Sequence, residues 1–221
     1  MDRGRSIPEL LPSCVIFLRE GIPPLAILKS FHIPMSLSTP TPRTPLHLRN
    51  IECHGYRRSD GLFDIEGRVT DSKTYDFPND FRGHIKAGEN IHDMSLRLTL
   101  NQDLVIHEVE ADFESHPYRI CPDIAPAFHV LKGLKIGPGW IRKARSLLGK
   151  TKGCTHLVEL LGPVATVAFQ TIVSIRQRQE KEPTTRAGAK PGRPPQLDSC
   201  HAYASDSEVV RKHWPNFYTG E

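Results

Sequence analysis

Residues 94–114, MSLRLTLNQDLVIHEVEADFE, constrain the fold more than any other stretch. Met94, Leu96, Leu98 and Leu100 alternate with Ser95, Arg97 and Thr99, the period of a strand with one buried face. Asn101-Gln102-Asp103 supplies a turn, and Leu104 to Phe113 returns with Val105, Ile106, Val109 and Phe113 among polar residues. A second alternating run follows the turn signal Ser59-Asp60-Gly61. There Phe63, Ile65, Gly67 and Val69 oppose Leu62, Asp64, Glu66 and Arg68. Three meandering strands with one apolar face cannot stand uncovered in water, so a lid must follow.

The lid is legible downstream. CPDIAPAFHVLKGL opens with Pro122, suited to an early helical position, and ends near Gly133. Trp140, Ile141, Ala144, Leu147 and Leu148 fall at helical intervals, as do Leu157, Leu160, Leu161, Val164, Val167, Ala168 and Ile172. Pro163 inside the last pattern should kink or divide that helix. Residues 76–90, with FPND and KAGEN, read as a loop. The expected fold is α+β: a three-stranded antiparallel meander covered on one face by C-terminal helices.

Apolar residues make up 38% of the 221, with 19 Pro and 16 Gly. That is lean for a wholly globular chain and places the core in its middle. Residues 1–43 read as a disordered or mis-started extension, with Met35 opening a Pro/Ser/Thr-rich leader, and 44–178 as the domain. Residues 179–196, Pro-rich and charged, read as a linker, and 197–221 as a coda docking back on the domain. The 29 basic and 25 acidic residues nearly balance, giving no electrostatic case for nucleic acid. No run of about 18 apolar residues stands out, so no membrane span is expected. Cys14, Cys53, Cys121, Cys154 and Cys200 are odd in number and far apart, which reads as reduced thiols in a cytoplasmic protein.

Thiols and imidazoles gather at element ends, where rigid platforms let ligands converge. His92 and Asp93 open the first hairpin strand. Cys121 follows the returning strand, and antiparallel geometry brings it to the same end of the sheet as His92. Cys154 and His156 lie where the long helix begins, and Cys200 and His201 lie in the coda. A Cys at a helix start is expected to favour thiolate. On a helix, positions i and i+2 do not face one another, so Cys154 and His156 are not expected to act as nucleophile and base. Asp60, Asp64, Glu66 and Asp71 could pair as carboxylates for acid–base work, but Asp64 and Glu66 share a strand face with Arg68, which reads as a solvated face.

The segments IECHGYRRSDGLFDIEGRVTDSKTY, GENIHDMSLRLTL, GCTHLVELLGPVATVAFQT and LDSCHAY, in that order, resemble a bacterial family, domain of unknown function 2889, from about Thr44 to the C-terminus. The family label implies no activity. A more remote resemblance is to iron–sulfur scaffold proteins of the IscU/NifU type, which implies a three-stranded sheet with helices on one face and ligands at one end. On that likeness Cys121 matches the scaffold's middle Cys and Cys154 its last, while His92 or Asp93 falls near its Asp. The first scaffold Cys has no counterpart, since Asn90 or Ile91 stands there.

Three functional readings follow. The first is a cytoplasmic metal-binding protein, with zinc or iron held by His92, Cys121 and Cys154. His156 or Asp93 would complete that site, and Cys200 and His201 would serve as lid or extra ligands. An open position there would let bound water be activated for an unknown small-molecule substrate. The second is a non-catalytic carrier delivering metal or sulfur to an acceptor protein. The third is a metal-free enzyme dependent on Cys154.

Overall fold

A computed structural model describes residues 37–180 and 192–221. Chain contacts divide at Arg43/Thr44, and residues 37–43 are exposed. Most of the proposed extension and the middle of the proposed linker lie outside the described residues.

In the second unit, Thr44–Glu221, the sheet has four strands: β1 (His47–Arg57), β2 (Phe63–Lys73), β5 (Asn90–Leu100) and β6 (Ile106–Ser115), antiparallel neighbours in that order. The expected three-stranded meander is therefore corrected by one strand. β1 escapes the sequence pattern because it is an edge strand whose residues are nearly all exposed, so neither face carries an apolar row. The expected loop at 76–90 is also corrected. It holds a small hairpin of β3 (Phe77–Asn79) and β4 (Gly83–Ile85), too short to alternate detectably.

Strand parity sets the core. In β2, Phe63, Ile65, Gly67 and Val69 face inward, and their β5 partners are Leu100, Leu98, Leu96 and Met94. All these side chains are buried, and Val109 and Phe113 extend the same face onto β6. Asn101 builds the β5–β6 turn by accepting the backbone N–H groups of Asp103 and Val105.

The covering layer has three parts. The expected first helix is a 3₁₀ helix, Cys121–Leu131, with Pro126 inside it and Phe128 and Leu131 buried. α1 (Trp140–Leu148) buries Trp140, Ala144 and Leu148. α2 (Thr155–Glu180) runs a little past its expected end, and Pro163 does not divide it. Leu157, Leu160, Leu161, Val164, Ala168 and Ile172 of α2 are buried in the core, at about 1.5–3 kcal/mol for each large aliphatic side chain.

α2 lies close on the sheet because two glycines permit it. A Cβ on Gly67 would come within 2.6 Å of a Val164 methyl, and one on Gly55 within 2.2 Å of the Thr171 hydroxyl. At its far end, Arg176 donates to Gln102 and Asp103 in the β5–β6 turn, so the helix start lies over the opposite end of the sheet. The span Thr155–Arg176 is long and apolar enough to cross a membrane, with a mean hydropathy of 1.6. It is no continuous apolar run, and its inner face packs on the sheet.

The coda forms α3 (Glu208–His213), capped by the Ser207 side chain accepting from Val210 N–H. Val210 and Leu197 are buried but lie outside the main core cluster.

Candidate metal centre

The inward parity of β2 does not stop at Val69. The next inward position is Asp71, a carboxylate only 1% exposed, paired across β1 with Arg49 and across β5 with His92. An irregularity between Asp71 and Ser72 shifts the β2–β5 register. Such bulges occur where a strand must re-aim a side chain.

A buried carboxylate must be hydrogen-bonded to be tolerated, and Asp71 is bonded heavily. Arg49 donates through Nε at 2.7 Å and through its terminal nitrogen at 2.9 Å, the paired geometry that binds carboxylates best. His47 Nε2 lies 3.0 Å from the same carboxylate and His92 Nδ1 3.1 Å. Burial opposes ionisation of Asp71, but the bonds from Arg49 and His47 outweigh it and hold the carboxyl at about 2, below its ordinary 3.8. Arg49 also donates to Glu159 on α2.

α2 completes the site. The carbonyl of Cys154 accepts the N–H of Val158 at 2.9 Å, which makes Cys154 the N-cap. The backbone N–H groups of Leu157 and His156 favour ionisation of its thiol, which stands where a cap oxygen would normally accept. His156, in the first turn, lies with its ring centroid 3.7 Å from that of His92, tilted by 33°, and its Nε2 is 3.6 Å from Asp71. Burial lowers both imidazoles: His92 falls to about 4, helped by the His156 charge, and His156 also drops below its ordinary 6.5. Both are neutral at neutral pH. Ionised Asp71 can only accept, so the His92 proton sits on Nδ1 and Nε2 keeps its lone pair.

Among the described residues, Asp71, His92 and His156 form a group with one donor atom each, all within 4.8 Å of one another. Two of the sequence candidates, His92 and His156, are thus brought together. Cys154 lies beside them, its sulfur 3.8 Å from His156 Nδ1 and 3.7 Å from the Met94 sulfur. Cys121, at the head of the 3₁₀ helix, packs against the core, near enough for its charge to act on Cys154. Asp93 takes the opposite sheet face, where Arg68 holds it at 2.7 and 2.6 Å and Asn90 at 3.0 Å. Cys200 and His201 are exposed in the coda.

Two expectations are corrected here. Cys154 precedes the helix rather than lying in it, so the helical spacing rule does not separate it from His156. Its thiol is pushed up by burial, against the hydrogen bonds from the helix start, so the thiolate is not favoured. Asp71 stands apart from Asp64 and Glu66, since counting every second residue from Phe63 puts it on the core face. Arg49, His47 and Glu159 carried no sequence signal, because β1 has no alternation and a lone Glu on α2 resembles any exposed helix position.

Searches of curated proteins and of solved structures found no match. The family described as Protein of unknown function (DUF2889) matches residues 47–170, which take in Arg49, Asp71, His92, Cys121, Cys154, His156 and Glu159 but not the coda. With more than half its length matched, the chain belongs to the DUF2889 family.

Proposed function

We propose that this protein binds a metal ion, zinc or iron, at the end of the sheet between His92, His156 and Asp71. The observation that carries this reading is the convergence of three donor atoms from β2, β5 and α2 within 4.8 Å. Both imidazoles are neutral, the form that ligates. Asp71 faces Nδ1 of His92 at 3.1 Å and Nε2 of His156 at 3.6 Å, so an ion among the three takes the place of the His92 Nδ1 proton, which moves to Nε2. Arg49 opposes a cation, but Asp71 and Glu159 together outnumber it in charge. If an ion draws Asp71 away, Arg49 keeps Glu159 as a partner.

The test is metal content of untagged protein, as purified and after addition of zinc or ferrous iron. One ion per chain is expected, lost in both His92→Ala and His156→Ala. A folded wild type that stays metal-free under zinc saturation would sink the reading. If the ion is held, transfer to an apo-acceptor protein separates the carrier from the enzyme, in which it stays bound through turnover.

The order Cys154, His156, Asp71, with steps of 3.8 and 3.6 Å, favours a second reading, a metal-free Cys-dependent enzyme. Chelator-treated protein would then react with iodoacetamide at Cys154 faster than free cysteine does at neutral pH. The burial of this thiol argues for the slower outcome.

A further inference from the structure

His156 presents its two ring nitrogens to two different sets of atoms. Nε2 looks toward the Asp71 carboxylate at 3.6 Å, whereas Nδ1 looks toward the Cys154 sulfur at 3.8 Å. On that second side the Met94 thioether lies 3.7 Å from the Cys154 sulfur. Met94 continues the inward row of β5 and is 1% exposed, so packing alone accounts for its burial. It does not account for the Cys154 sulfur standing 3.7 Å from a thioether and 3.8 Å from an imidazole nitrogen.

We propose that Cys154, Met94 and Nδ1 of His156 form a site for a soft monovalent ion, Cu(I), separate from the Asp71 side of the same ring. Thiolate and thioether donors select soft ions, and a thioether is a poor ligand for zinc or ferrous iron. The spacing fits. With metal–sulfur and metal–nitrogen bonds of about 2.3 and about 2.0 Å, a trigonal ion sets its sulfurs about 4.0 Å apart and sulfur from nitrogen about 3.7 Å. The two separations from the Cys154 sulfur are 3.7 and 3.8 Å, within a few tenths of an ångström of those values. Binding replaces the Cys154 S–H bond with a copper–sulfur bond and releases the proton to solvent. No electron is transferred. His156 is 22% exposed, which gives the ion a way in.

A neutral imidazole has one lone pair, so an ion on Nδ1 requires the proton to move to Nε2. Occupation of the soft side therefore weakens the Asp71 side. The inference does not need the zinc or iron reading to be right, because it rests on a different nitrogen and on two sulfurs which that reading does not use.

The test is anaerobic titration with Cu(I) against a chromophoric chelator, for the wild type and for Met94→Leu and Cys154→Ser. Met94→Leu nearly conserves volume, so the core should survive it, and circular dichroism checks each variant. The wild type is expected to take one Cu(I). Met94→Leu should weaken it about tenfold or more, the least that losing even an outer-shell partner costs a metal site. Cys154→Ser should abolish it. Equal Cu(I) affinity in wild type and folded Met94→Leu would overturn the proposal, as would no binding by the wild type. Zinc uptake with no dependence of Cu(I) on Met94 defeats this inference alone. Cu(I) uptake that depends on Met94, without zinc uptake, defeats the zinc and iron reading alone.

Discussion

At the scale of single residues, the site is one buried charge and the groups that make it tolerable. Asp71 is ionised because Arg49 and His47 offset its burial, and the two histidines are neutral because burial outweighs the pull of Asp71. The signs give a pH dependence for metal-free protein. His92 titrates at about 4 in the fold against an ordinary 6.5, so below 6.5 the unfolded chain binds a proton that the fold refuses. Its contribution is complete above pH 6.5 and is lost as pH falls toward about 4, on the order of 2 kcal/mol. His156 adds to the same loss from 6.5 downward. Asp71 acts later, between 3.8 and about 2. Urea unfolding in the presence of a chelator, repeated from neutral pH down to about 4, should therefore give a falling stability. His92→Gln should flatten that fall, and an equally steep fall in the variant would contradict the assignment. Parity makes Asp71 legible in the sequence once the row from Phe63 is followed to its end. Hydrophobicity alone ends that row at Val69, because the next inward side chain is a carboxylate.

At the scale of elements, the site depends on how closely α2 approaches the sheet. Gly67 faces Val164 with no room for a Cβ, the missing atom falling 2.6 Å from the Val164 methyl. Gly67→Ala must push the helix or strand aside, at a cost of about 1–3 kcal/mol, and the shift would reach the His156 turn. Truncating the opposing methyls in Gly67→Ala/Val164→Ala should recover part of that cost, with a coupling of about 1 kcal/mol in a double-mutant cycle. Simple addition of the two single costs would mean that the helix and strand do not press on one another here. The inward rows of β2, β5 and β6 and the long helix are legible because each repeats a period over many residues. β1 is not, since an edge strand exposed on most positions has no period to read. The arginine and histidine it contributes to the site therefore went unseen. β3 and β4, three residues each, are shorter than any pattern.

At the scale of the whole molecule, β1, β2, β5 and the start of α2 meet at one end of the sheet, while Arg176 ties the helix to the turn at the other. The order of elements places His92 and Cys121 at one end of the sheet, because a meander returns alternate strand ends to one side, and leaves open whether the start of the long helix meets them there. It could not predict that a core-facing carboxylate would stand between His92 and the helix start, or that Asp93, one residue on, would face away. The central claim is that the two imidazoles share an ion. Zinc-edge X-ray absorption on zinc-loaded protein tests it most directly, for wild type and for His156→Ala. The account predicts two imidazole ligands in the wild type and loss of both zinc and that signature in the variant. Zinc bound without imidazole, or a spectrum unchanged by His156→Ala, would contradict it.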